Sequence, residues 1–190
     1  MNLTTNMGAN RNYYTWEITA TKRDTGGRWS LLTSFAKTWN YETPLGLGSS
    51  FPPSQLLNTV DRQNQYTNWQ GRINTTSTLP WGILMTPGIG AQSGVPFGRT
   101  FVSSRNYGSA TILVEPCGKE RTANIGLFEV RAQKQFHVRE RIVLSGFFDV
   151  YNIFNTNAEQ AVAASSGSRL LRPSAITPPR IARLGVKFQF

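Results

Sequence analysis

Ile181-Ala182-Arg183-Leu184-Gly185-Val186-Lys187-Phe188-Gln189-Phe190 closes the chain, and its period decides the fold. Ala182, Leu184, Val186, Phe188 and Phe190 fall on one side of an extended segment. Arg183, Gly185, Lys187 and Gln189 fall on the other. Side chains of a strand alternate between two faces, whereas a helix would smear this pattern around its circumference. The segment therefore predicts a strand with one apolar and one polar side.

The same period recurs upstream. In 13–22, Tyr14, Trp16, Ile18 and Ala20 oppose Thr15, Glu17, Thr19 and Thr21. In 69–79, Trp69, Ile73 and Leu79 oppose Gln70, Arg72, Asn74, Thr76 and Thr78. In 124–136, Phe128, Val130, Ala132 and Phe136 oppose Glu129, Arg131, Gln133 and Gln135, with Lys134 interrupting the apolar side. In 141–152, Ile142, Leu144, Gly146, Phe148 and Val150 share one side, and the other mixes Val143, Phe147 and Tyr151 with Ser145 and Asp149. Segment 82–91 fits least well, and Pro87, which has no N–H for a ladder, predicts a bulge or an early strand end. In 28–40, Trp29 and Trp39 share a face with Leu31, Thr33, Phe35 and Lys37. Their separation is about 33 Å along a strand, or about 25 Å across a layer when the strand tilts by about 40°. That equals the apolar band between the two aromatic girdles of an outer-membrane barrel, and Lys37 must then snorkel to an interface. Two core tryptophans of a soluble sheet would share a face equally well.

Composition agrees with strands and polar loops. Apolar residues make up 39% and charged residues 16%, both below the globular norm, with Gly 17 and Pro 10 supplying turns. No apolar run reaches the roughly 18 residues of a membrane-spanning helix. Met1 to Tyr13 has no apolar core of a signal peptide, so a barrel reading makes the chain a fragment or a mis-started frame.

The connections sort by length. Short links fall at Asp24-Thr25-Gly26-Gly27, at Leu79-Pro80-Trp81-Gly82 and around His137–Glu140. Long ones, rich in Gly, Pro, Ser and Asn, fall at 41–68, 92–123 and 153–179. Strict alternation places every short turn at one end of an antiparallel sheet and every long loop at the other, as in transmembrane barrels. The expectation is an all-β chain: about seven strands of a larger up-and-down transmembrane β-barrel, since an odd ribbon leaves two open edges. On this expectation Arg72, Arg131, Arg183 and Lys187 face the lumen, and Trp29 and Trp39 mark the aromatic girdles.

Several of these segments resemble one family. Tyr151-Asn152-Ile153-Phe154-Asn155 is similar to the aromatic-Asn-aliphatic-Phe-Asn stretch near the end of TonB-dependent receptor barrels. Pro179-Arg180 followed by a strand ending in Phe190 resembles their last strand, and Tyr14-Thr15-Trp16-Glu17, Leu79-Pro80-Trp81-Gly82 and Ser93-Gly94-Val95-Pro96-Phe97 fit as well. The resemblance covers roughly 13–190 and is greatest to large receptors of the Oar type. It implies that residues 1–190 are the C-terminal part of a receptor barrel in the bacterial outer membrane, serving uptake or passage of a large solute. Phe188 and Phe190 would then form the signal read by the barrel-assembly machinery. The other partners implied are outer-membrane lipid, the remaining strands, an N-terminal plug absent from this chain, and the TonB complex reached through that missing part.

An enzyme is not expected. His137 is the only histidine and lacks a visible partner for base catalysis, and Cys117 is the only cysteine, which excludes an internal disulfide and the common multi-His or multi-Cys metal sites. Glu17, Glu129 and Asp149 lie one per strand, and Gly88 and Gly90 begin a GxG whose third glycine is replaced by Ser93. No catalytic, cofactor or metal residue is therefore assigned. The excess of 20 Lys and Arg over 10 Asp and Glu, +10 in all, supports one alternative: a soluble basic β-protein binding an anionic polymer such as nucleic acid. Against nucleic acid, the basic residues are scattered, and the densest run, Arg139 to Arg141, contains Glu140.

Overall fold

The computed structural model describes residues 11–26, 29–42, 58–59, 63–106, 108–139 and 142–190. Seven strands form one antiparallel sheet: β1 (Arg11–Lys22), β2 (Trp29–Glu42), β3 (Asn64–Leu79), β4 (Ile83–Gln92), β9 (Ile125–Arg139), β10 (Ile142–Tyr151) and β13 (Ile181–Gln189). Their order in the sheet is their order in the chain. Each short connection joins strand ends at one rim and each long one joins ends at the other. Most of the 41–68 connection, Gly27 and Glu140 lie outside the described residues.

Two of the long connections carry structure of their own. In 93–124, β5 (Pro96–Phe97) pairs with β8 (Glu120–Arg121), and β6 (Thr100–Arg105) pairs with β7 (Gly108–Leu113). In 152–180, β11 (Glu159–Val162) pairs with β12 (Pro173–Ile176). Local hairpin pairing satisfies backbone groups that a structureless loop of this length would leave to water.

Two local expectations are corrected. Pro87 causes no bulge: β4 runs on to Gln92, and its register with β9 is unbroken from Ile83↔Lys134 to Gln92↔Ile125. The missing N–H is felt only toward β3, where pairing lapses between Asn74↔Gly88 and Ser77↔Met85 and resumes in the same register. His137 lies within β9, which extends to Arg139, so the turn comes later than the residue pattern suggested.

The sheet is open. β1 and β13 each pair with a single neighbour. It is also sheared. The row Trp29–Ser77–Met85–Ala132–Phe148–Leu184 joins the first residue of β2 to the fourth of β13. The middles of these strands are thus offset by about seven residues, or about 25 Å along the strands over about 24 Å of sheet width. Strand ends therefore follow a line about 45° from the strand direction, close to the tilt that closed barrels require.

Registers carry one face across all seven strands. Trp16, Phe35, Ile73, Ile89, Phe128, Phe148 and Leu184 belong to the apolar face, and Glu17, Arg72, Glu129, Arg131, Asp149 and Arg183 to the other. No acidic residue stands on the apolar face among the described residues. No other described segment packs on that face, and Leu184 is 81% exposed. Ile125 is the only buried apolar side chain described, whereas Asn40, Glu115, Ser145, Asp149, Asn152 and Thr177 are buried polar ones. Burial is inverted relative to a domain that hides an apolar core from water. Among the described residues, no helix is long and apolar enough to cross a membrane.

Candidate functional site: the polar face and its mouth

Charge on the polar face is organised by cross-strand neighbours. Arg131 of β9 and Arg183 of β13 flank Asp149 of β10 in one row. Arg131 donates to both carboxylate oxygens, Nε to Oδ1 at 2.6 Å and Nη2 to Oδ2 at 3.0 Å. Arg183 donates from Nη2 at 2.6 Å and from Nε at 3.0 Å to Oδ2. The Tyr151 hydroxyl donates to Asp149 at 3.3 Å and accepts from Arg183 at 3.1 Å. Phe147 lies under both guanidiniums, at 4.9 and 5.6 Å from its ring centre. Its ring covers Gly185 across the ladder, where a Cβ would sit 2.2 Å from it. The mixed face of β10 thus has a physical logic: its aromatics form a platform for the arginines.

A second pair bridges β4. Arg72 of β3 binds Glu129 of β9, two strands away, and Arg72 Nε also donates to Asn74 at 3.3 Å. Gly88 on the intervening strand leaves the space, since a Cβ there would lie 2.9 Å from both Asn74 and Glu129. Lys187 shares this face, opposite Ser145, without an ion-pair partner among the described residues. All four basic residues singled out from the sequence therefore stand on the polar face, and three of them pair with two acids, Glu129 and Asp149, to which the sequence gave no role.

Lysines on the apolar face turn to aromatic rings. Lys22 places Nζ 3.8 Å from the Trp29 ring centre, Lys37 4.9 Å from Trp39 and Lys134 5.3 Å from Phe136. Each ammonium thus gains a ring quadrupole while its stem covers apolar surface. Trp29 and Trp39 occupy this face near opposite ends of β2. Phe188 is on the same face, and Phe190 packs on it at 5.9 Å.

At the long-loop rim the 93–124 segment folds over the polar face of β2 and β3. Arg121 anchors it by donating to the Gly94 carbonyl at 2.9 Å, to Asn68 Oδ1 at 3.4 Å and to the Thr67 carbonyl. Within the loop, Glu115 is 4% exposed and accepts from Arg99 Nε at 2.6 Å and Nη2 at 3.0 Å, with Lys119 at 3.5 Å. The Arg99 hydrogen bonds lower its pKa to about 2 against the effect of burial. Neighbouring loops are tied in: Asn58 donates to the Leu113 carbonyl, and Thr100 exchanges backbone bonds with Ala164 and Ser166.

Beneath this loop lies an open cavity of about 610 Å³. Five carboxamides, of Asn40, Asn64, Asn68, Gln70 and Gln92, line it together with Tyr66 and Glu42. Cys117 also lines it, and burial pushes its thiol pKa up. The period-two pattern put Gln70 on a polar face but left Asn64, Tyr66 and Asn68 in the 41–68 loop and Gln92 in the 92–123 loop, and it held no signal that a later loop would roof them.

Asn152 and Asn155 explain the Tyr151–Asn155 stretch. Both adopt left-handed backbone, at φ 50° and 53°, a conformation asparagine tolerates better than most residues. Asn152 donates to the carbonyls of Thr156 and Pro178 and accepts from the Thr156 N–H, and Asn155 accepts from the Arg180 N–H at 3.0 Å. The two ends of the 152–180 segment are clamped together where it leaves and rejoins the sheet.

His137 is exposed, and no group of three or more potential metal ligands occurs among the described residues. Comparison with protein-family models, curated proteins and solved structures gives no match.

Proposed function

We propose that this chain is the C-terminal part of the barrel of a TonB-dependent outer-membrane receptor of the Oar type, serving uptake or passage of a large solute. The observation that carries the reading is the bare apolar face running across seven sheared strands, backed by a polar face on which Arg72, Arg131 and Arg183 are ion-paired. In water such a face would expose tryptophan, phenylalanine and leucine side by side, a liability that monomeric soluble domains avoid. Facing hydrocarbon, it is the ordinary outside of a barrel, and the polar side becomes the lumen wall. Open edges at β1 and β13 call for further strands, because lipid leaves no water to satisfy unpaired backbone groups. The partners of this reading are lipid, those strands, a plug, the TonB complex and the barrel-assembly machinery, which would read Phe188 and Phe190.

Leu184→Arg tests it. An exposed residue in water tolerates such a change within about 0.5 kcal/mol, whereas arginine on the lipid face near the bilayer middle costs about 2–4 kcal/mol. The expected result is the larger loss when the chain is unfolded by urea from lipid vesicles. A negligible loss, with a monomeric chain soluble without detergent that binds DNA with a steep salt dependence, would instead support the anionic-polymer alternative.

A further inference from the structure

The cavity under the 93–124 loop departs from the charge character of the whole chain. The chain carries 20 Lys and Arg against 10 Asp and Glu. Among the described residues the cavity lining holds no basic side chain and a single carboxylate, Glu42. Elsewhere on the polar face arginines and acids alternate, so a neutral, amide-rich lining is a local feature. Asn40 adds a second observation. It is 6% exposed, yet its hydrogen bond to a described residue is a long one, Nδ2 to the Tyr66 carbonyl at 3.5 Å. Its Oδ1 has no donor among the described residues. Buried amides ordinarily have partners, and this one borders an open cavity.

We infer that this cavity binds a neutral, hydroxyl-rich ligand of the short-oligosaccharide class. The inference rests on the receptor reading, in which the long-loop rim is the outward mouth. A carboxamide both donates and accepts, as a sugar hydroxyl does, so five of them can match a polyol without net charge. Glu42 can accept from neighbouring hydroxyls, and the Tyr66 ring offers an apolar surface for the C–H side of a sugar. Anionic ligands are selected by guanidinium or ammonium groups; among the described residues the lining has none, and the two guanidiniums that touch lining residues are already engaged, Arg121 with Asn68 and the Gly94 carbonyl and Arg11 with Glu42. The volume falls within the roughly 300–1,000 Å³ of small-molecule sites.

Cys117, the chain's one cysteine, lines the same cavity and serves as reporter. The chain is folded in detergent, its β-content is checked by circular dichroism, and maleimide labelling of Cys117 is timed with maltotriose, cellotriose, trigalacturonate or trialanine. The expected result is saturable slowing by a neutral trisaccharide and none by trigalacturonate. Asn40→Leu and Gln70→Leu should each raise the half-saturating concentration by about tenfold with unchanged dichroism. Slowing by neither trisaccharide, equal slowing by trigalacturonate, slowing by trialanine alone, or an unaltered response in Asn40→Leu overturns the inference. Labelling in detergent does not require lipid insertion. Loss of protection beside a normal Leu184→Arg result therefore rejects only the ligand class, and protection in plain buffer beside a negligible Leu184→Arg effect rejects only the membrane reading.

Discussion

Asp149→Asn removes the charge that holds three strands in register, and its cost follows from the geometry. The carboxylate is 2% exposed and takes four guanidinium hydrogen bonds, two from Arg131 and two from Arg183. Removing one partner of a buried ion pair costs about 3–5 kcal/mol, because the other charge is left without compensation. Here the arginine side chains are 43% and 54% exposed, so water and salt screen part of the penalty and about 2–3 kcal/mol remains. The assay is equilibrium urea unfolding of the chain in detergent micelles, with ΔG taken by linear extrapolation. The triple variant Asp149→Asn with Arg131→Gln and Arg183→Gln should recover most of the loss, since it leaves no unpaired charge. Strong non-additivity is therefore expected. A loss below about 0.5 kcal/mol in Asp149→Asn, or a triple variant as unstable as the single one, refutes the argument that uncompensated charge sets the cost.

Gly185→Ala should destabilise the sheet by about 1–3 kcal/mol in the same assay, since its Cβ would enter the Phe147 ring, and Phe147→Ala in that background should return part of the loss. Acid should release the 93–124 loop. Glu115 titrates lower when folded, so its contribution is complete above its ordinary value of 4.5 and fades as pH falls toward about 2; the rate of pepsin cleavage within 93–124 in the parent, relative to that in Glu115→Gln at the same pH, should rise as pH falls across that window. Asn152→Gly keeps the left-handed backbone available but loses three hydrogen bonds, so limited proteolysis should cut the 152–180 segment faster while cleavage in 93–124 stays unchanged.

The strands were legible because a half-buried strand and a lipid-facing one share the same period. Trp16, Ile73, Phe128 and Leu184 announce their face individually. The ion network was not legible. Arg131, Asp149 and Arg183 lie 18 and 34 positions apart, and alternation assigns faces but not register. A slip of two residues would keep every side chain on its face and break all four hydrogen bonds. Lys37 and Lys134 read as flaws in apolar faces because the rings of Trp39 and Phe136 that receive them can be credited only once rotamers are known. Pro87 misled for a related reason: period marks a lost donor without saying which neighbour it faces. The amide-lined cavity needs a loop fold that composition alone does not specify.

The clamp at Asn152 and Asn155 makes the 152–180 segment a closed handle whose two feet are pinned before it departs from the sheet. Its length is thereby uncoupled from the pairing of β10 with β13, because the span the strands feel is the distance between the feet. Lengthening a closed loop costs only about 0.6 kcal/mol per doubling. Between Ala163 and Arg172 the molecule thus offers a socket where a foreign peptide can be displayed at the long-loop rim while the last strand goes on pairing as before.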